Sequence, residues 1–262
     1  VVGDHQGCRH CGDKKLDFAF TMAFQPIVDL QDRRIDAYEA LVRGPQGEGA
    51  DYVFSRLTAE NRYAFDQACR VKAIEMAAKL RIDRTLNINF LPNMVYEPEG
   101  CLRQTMLAAA RTGFPLQRLT FEIVEHEDTT ELEHLRQIIA TYRHHGFQIA
   151  LDDYGVGYSG LLRMTELRPD IIKLDRVLVR GCDTDYRRWV MIASLIELCD
   201  ALQTKIVLEG VETAAEAQAL RRAGGRYMQG FYFARPAFEA ATPDSAIPWL
   251  EPAAEPQYAR QA

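Results

Sequence analysis

No apolar run in these 262 residues approaches the ~20 that a membrane-crossing helix needs, so no membrane segment is expected. No stretch is dominated by Lys and Arg, and the net charge of −6 argues against a DNA or RNA polymer as partner. The opening VVGDHQGCRHCGDKK is polar, without the apolar core of a secretory signal. Cysteine is sparse: of the six, at 8, 11, 69, 101, 182 and 199, only Cys8 and Cys11 have a metal-like spacing, with His5 and His10 beside them. No second ligand pair follows downstream, so unpaired thiols in the cytoplasm are the main expectation, and a zinc or redox role the lesser one. Internal repeats, low-complexity segments and a domain-splitting linker are also absent.

A hydrophobic content of 47% is ample for a large core. Short apolar runs alternate with longer amphipathic ones, the pattern of a parallel sheet with crossover helices. Strands are expected at 23–30, 35–42, 85–90, 119–125, 148–153, 171–175, 205–211 and 226–233. Helices are expected at 65–80, 101–113, 131–146, 187–203 and 214–225, with Thr129 and Thr130 as caps for one and Gly113, Gly146 and Gly224 closing three others. Eight such strands predict an α/β fold, a TIM-type (β/α)8 barrel of the usual ~250 residues. Only Gln31 to Arg34 separate the first two strands, too little for a helical crossover, so an antiparallel early strand is predicted. The barrel is expected over 18–240, between a flexible N-terminal segment (1–17) and an Ala/Pro-rich tail (241–262), loosely ordered beyond Trp249.

Carboxylates close several of the apolar runs: Glu39, Glu122, Asp152 with Asp153, and Glu209. An acid after Ile, Leu, Val and Phe is costly to bury, and a single case would be an exposed end or a turn. In a barrel, however, strand ends converge on one mouth. Asn89, Lys173 and Gln229 fall at similar positions. Two carboxylates 4 Å apart repel by about 4 kcal/mol at an effective dielectric of 20, so several together demand cations. Oxygen donors without His or Cys favour Mg²⁺ or Mn²⁺ over Zn²⁺. Two such ions suit displacement at phosphorus.

These residues also carry a resemblance. Tyr38-Glu39-Ala40-Leu41-Val42-Arg43, Asn87-Ile88-Asn89, Phe121-Glu122-Ile123-Val124-Glu125, the loop Ala150 to Ser159, Ile172-Lys173-Leu174-Asp175, Glu209-Gly210-Val211-Glu212-Thr213 and Gln229-Gly230-Phe231 resemble the motifs of the EAL domain family, bacterial cyclic di-GMP phosphodiesterases, from about Ala23 to Pro236. The resemblance implies hydrolysis of cyclic di-GMP to linear pGpG by in-line attack of a water activated by two Mg²⁺ or Mn²⁺ ions, with Ca²⁺ inhibiting. It implies metal ligation by Glu39, Asn89, Glu122, Asp152 and Asp153, and general-base work by Glu209 assisted by Lys173. Gln25, Arg43, Glu212 and Gln229 would contact substrate, and Glu125 would hold the Asp-Asp loop. A homodimer is implied as well. Tyr154, Val156 and Gly160 depart from the family's usual Phe, Thr and Ser. The alternatives are a non-catalytic cyclic di-GMP receptor, a protein-interaction module of the same fold, or a different barrel metalloenzyme.

Overall fold

The computed structural model describes residues 16–124, 132–156 and 160–251. The elements run in the order β1 (Thr21–Asp29), β2 (Arg34–Arg43), α1 (Ala50–Phe54), α2 (Arg62–Lys79), β3 (Thr85–Asn89), α3 (Pro98–Thr112), β4 (Leu119–Val124), α4 (Leu132–His144), β5 (Gln148–Tyr154), α5 (Gly160–Leu167), β6 (Ile171–Leu174), α6 (Arg176–Val179), α7 (Tyr186–Ala201), β7 (Lys205–Leu208), α8 (Ala214–Arg222), β8 (Tyr227–Met228) and β9 (Ala237–Phe238). Strands β2 to β8 follow one another in parallel, and β1 closes the ring by pairing antiparallel with both β2 and β8. This is the expected (β/α)8 barrel with its antiparallel early strand. The four-residue link 30–33 allows only a hairpin, and Arg33 takes a left-handed φ of 50° in that turn.

Sequence periodicity missed the short helices α1, α5 and α6, because four to eight residues complete too few turns to show a period. Gly113 ends α3 in a left-handed conformation, as expected of a helix-terminating glycine. The cap that sequence reading overlooked is at α8. There the Thr213 side chain accepts from the Glu216 amide, and the Glu216 carboxylate accepts from the Thr213 amide. The expected caps Thr129 and Thr130, and the Cys8/Cys11 pair, lie outside the described residues.

Strand alternation sorts the barrel interior into layers. Ile27, Ala37, Ala150, Ile171 and Val207 form a small apolar cluster inside the barrel. Two residues further along their strands come Gln25 (β1 running the opposite way), Glu39, Asp152, Lys173 and Glu209. The outward-facing Leu, Ile and Phe join the larger core beneath the helices. One polar layer therefore rests on one apolar layer, and the acids are raised to the C-terminal mouth.

No helix lies between β1 and β2, so α1 and α2 cover only part of the hairpin. Residues 237–251 cover more of it. Tyr38 donates its hydroxyl to the Thr242 carbonyl (2.6 Å), Asp244 accepts from the Ile35 amide, and Ile247 and Leu250 are buried. The stretch expected as a tail thus contributes core residues up to Leu250. Among the described residues, no helix is long and apolar enough to cross a membrane.

The seams on either side of β8 are short: β1 and β7 each meet it with only two residue pairs in register, and the β1 seam is the antiparallel one. Buried Asp29 reinforces it, accepting from Arg226 Nε (2.9 Å) and Nη2 (2.6 Å) and from the amides of Gln31 and Asp32. Burial alone would raise its pKa, but the Arg226 bond and the turn amides hold the carboxyl below its ordinary value. Asp29→Ala is expected to lower unfolding free energy by about 2–4 kcal/mol in denaturant titrations near pH 7. Asp29 stabilises fully above its ordinary pKa of about 3.9, so the deficit should shrink as the pH is lowered through its depressed native value.

Candidate functional site

Lys173 on β6 stands at the centre of the mouth. Its Nζ lies 3.2 Å from Glu39 Oε2, 2.9 Å from Glu122 Oε2, 3.1 Å from Asp152 Oδ1 and 2.9 Å from Glu209 Oε1. The ammonium is 1% exposed and Glu122 is fully buried. Around this hub the amides sort themselves. Gln229 donates to Glu39 Oε2 (2.7 Å) and Gln25 Oε1 (3.2 Å), Asn89 donates to Glu39 Oε1 (2.9 Å), and Asn87 donates to Glu122 Oε1 (2.7 Å).

Adjacent residues on a strand normally face opposite sides, yet Asp152 and Asp153 both line the cleft. The register between β5 and β6 is broken between Leu151 and Tyr154, and Asp153 has a φ of 53°. This bulge turns the second acid inward. At β7, Gly210 follows Glu209 with a φ of 67°, and a Cβ there would lie 2.1 Å from Arg176 Cβ. Only glycine lets the chain turn there against α6.

The cleft has a volume of about 320 Å³ and brings together Gln25, Glu39, Asp152, Asp153, Lys173, Glu209, Glu212 and Gln229. Glu122 lies behind Lys173 rather than on the wall. Arg43 is not on the wall: it sits at the tip of the β1–β2 arm, donating to the Val42 carbonyl (2.7 Å). The arm also alters the expectation that Glu39 ends its strand. Parallel pairing with β3 ends at Ala40, while β2 continues to Arg43 against β1. Glu125 lies outside the described residues.

Sequence reading left Asp175, Arg176, Gly210, Gly230 and Phe231 out of the site, although all line the cleft. It also gave Asn87 no role. Alternation offered a signal for Asn87, since Asn87 and Asn89 share a face. Arg176 had none, because its position depends on how α6 packs.

Burial pushes Glu122 and Glu209 well above the ordinary carboxylate range; Lys173 pulls both down, and the neighbouring acids raise them further. Glu39 goes the other way: burial raises it, but Lys173 and the amides of Gln229 and Asn89 outweigh burial and lower it. Burial lowers Lys173, yet four carboxylates hold it well above its usual value.

Oxygens of Glu39, Glu122 and Asp152 lie within 4.8 Å of one another, and so do those of Asp152, Asp153 and Glu209. Asp152 belongs to both groups. Four carboxylates share the Lys173 ammonium, with Asp153 beside them, and the buried Oε1 of Gln229 and Oδ1 of Asn87 have no hydrogen-bond partner. This donor set, hard oxygen throughout, would fit hard divalent cations. Asn89 presents its nitrogen to Glu39, which leaves its oxygen as the atom that would ligate a cation.

The EAL domain family matches residues 16–236. The chain belongs to the EAL domain family. This EAL domain is similar to a standalone versatile EAL protein of Vibrio cholerae O395 solved in its c-di-GMP-bound form, with 46% identity over 86% of this chain and 95% of that one and a TM-score of 0.83. It is similar to Klebsiella pneumoniae BlrP1, solved as a manganese/cy-diGMP complex, with 32% identity over 87% of this chain and 57% of that one and a TM-score of 0.80. Curated relatives include the Escherichia coli blue light- and temperature-regulated antirepressor BluF, 29% identical over 81% of this chain and 53% of BluF. The probable cyclic di-GMP phosphodiesterase PdeN of the same organism is 26% identical over 91% of this chain and 47% of PdeN. The chain spans about half the length of these curated relatives.

The raised carboxyls predict how stability varies with pH in chelator-treated protein. A carboxyl with a raised native pKa is protonated when folded and ionised when unfolded, so its contribution falls once pH exceeds the ordinary value of about 4.3. The decline continues through the raised native values of Glu122 and Glu209. Melting temperature is expected to drop across that range, and Glu122→Gln to flatten the drop. A wild-type profile that rises with pH there contradicts the assignment.

Proposed function

We propose that this EAL domain hydrolyses one phosphodiester of cyclic di-GMP to linear pGpG, using two Mg²⁺ or Mn²⁺ ions. The observation that carries the reading is the pair of acidic groups sharing Asp152 around Lys173. In the proposal Glu39, Asn89, Glu122, Asp152 and Asp153 hold the ions. When bound, these supply a lowered water pKa and positive charge opposite the developing phosphorane oxygens. Glu209, at the cleft wall, is the carboxylate that accepts the proton of the attacking water. Lys173 fixes the direction of that carboxylate through its 2.9 Å contact. Gln25, Gln229 and Glu212 orient the substrate in the cleft, with Arg43 reaching it from the arm. The curated relatives named as phosphodiesterases and the structures with cyclic di-GMP bound support the same substrate.

Chromatography of nucleotide products from purified protein, with Mg²⁺, Mn²⁺ and Ca²⁺ in parallel, tests the reading. Mg²⁺ or Mn²⁺ is expected to give pGpG and Ca²⁺ binding without turnover. Glu209→Gln should lose about 10²–10⁴-fold in kcat while still binding Mn²⁺. Glu39→Ala should lose Mn²⁺ binding and turnover together. Near-normal turnover in either variant refutes the assignment. Similarity to an antirepressor favours a second reading, a receptor or interaction module. Binding of cyclic di-GMP with no pGpG in any metal would establish that one.

We further propose a homodimer. Leu161 and Leu162 on α5 are each 62% exposed, Val177 on α6 55% and Tyr186 on α7 72%, large apolar side chains left uncovered on the three helices that follow β5 and β6. Light scattering is expected to give twice the 29.8 kDa chain mass, and Leu161→Glu/Leu162→Glu to give the monomer. A monomeric wild type would overturn this.

A further inference from the structure

Arg70 is a fully buried arginine outside the barrel, on the face of α2 that meets the sheet. Its Nη2 lies 2.5 Å from Asp66 Oδ2, one helical turn earlier, and its Nη1 donates to the Tyr142 hydroxyl at 2.8 Å. The guanidinium stands 5.1 Å from the Phe90 ring centroid, 5.4 Å from Phe121 and 5.9 Å from Tyr142. The other Asp66 oxygen accepts from the backbone amide of Leu91 at 2.9 Å.

An ion pair so far from water is a poor way to stabilise a core, because well-packed apolar residues do as well or better. Its partners suggest another use. Phe90 adjoins Asn89, and Phe121 adjoins Glu122. By alternation along β3 and β4, Asn89 and Glu122 point into the mouth while Phe90 and Phe121 point out, onto Arg70. The Leu91 amide fixes the chain where β3 leaves the sheet. The cluster therefore grips the outward side of two strands at the positions that set the inward amide and carboxylate, and Phe121 packs on Tyr142 at 4.9 Å to complete it.

We propose that the Asp66–Arg70–Tyr142 cluster is a positioning device for the divalent-cation centre, holding Asn89 and Glu122 in register from behind. The inference rests on the reading of the mouth as a metal site. None of the three residues touches the cleft.

The test compares Mn²⁺ affinity, by calorimetry, with melting temperature in the double variant Asp66→Leu/Arg70→Met. The change removes one charge of each sign, so the net charge felt at the mouth is conserved. The replacements are apolar, so the fold is expected to survive, melting lower only by what the Leu91 amide and the Tyr142 hydroxyl lose with these partners. Mn²⁺ is expected to bind about tenfold more weakly. A purely structural cluster predicts that affinity recovers along with stability, and wild-type Mn²⁺ affinity in the double variant overturns the proposal. If that variant does not fold, Tyr142→Phe, which deletes one hydrogen bond, carries the test. Weakening of about two- to fivefold supports the proposal, and unchanged affinity overturns it. Wild-type protein that binds no Mn²⁺ removes the reading of the centre itself, whereas wild-type binding with unchanged variant binding overturns only the positioning role.

Discussion

Electrostatic repulsion at the barrel mouth governs this molecule. Glu39, Glu122, Asp152 and Glu209 converge on one ammonium, with Asp153 beside them. In a site this dry, each uncompensated carboxylate must be protonated, hydrogen-bonded or paired with a cation. All three solutions are visible. Glu122 and Glu209 are pushed toward protonation, Glu39 is held ionised by two amides and Lys173, and the rest of the deficit is left for cations. The same imbalance that burdens the fold suits the mouth to the hard divalent ions proposed for it.

The scaffold bears this burden through placement more than through added bonds. An apolar layer of Ile27, Ala37, Ala150, Ile171 and Val207 floors the polar layer and keeps water from reaching the acids from below. The β1–β2 hairpin contributes Gln25 and Glu39 from antiparallel neighbours, paired directly in register. Part of its outer face is sheltered by residues 237–251, which lie beyond the span matched by the family. The Asp66–Arg70 pair grips the strands from outside. These supports all bear on the backbone, because a side chain is no better placed than the strand that carries it.

Much of this was legible beforehand. The run-helix alternation gave the barrel, and a four-residue link gave the hairpin. The repeated acids gave the mouth, and their oxygen-only chemistry is the basis on which hard cations are proposed for it. Other features escaped for identifiable reasons. Helices as short as α6 carry no periodic signal, so Arg176 and its approach to Gly210 were invisible. Asn87 shared a face with Asn89, but nothing in the string said that Glu122 from another strand would meet it. Arg43 sits in the signature segment, yet the extension of β2 beyond its parallel neighbour carries it away from the cleft wall.

The sequence by itself determined which residues face inward, since side chains alternate along a strand and their polarity is written in the order of letters. It also determined the sign and hardness of the site, because those follow from residue type. Only the tertiary structure decided which acids lie close enough together to hold an ion in common. Asp152 belongs to both groups because a bulge breaks the β5–β6 register and Asp153 adopts a left-handed backbone, and a bulge is set by pairing with another strand. The tertiary structure also decided that one lysine, rather than several, meets four of the acids. That depends on the relative heights of strands far apart in sequence, and local preferences do not encode it.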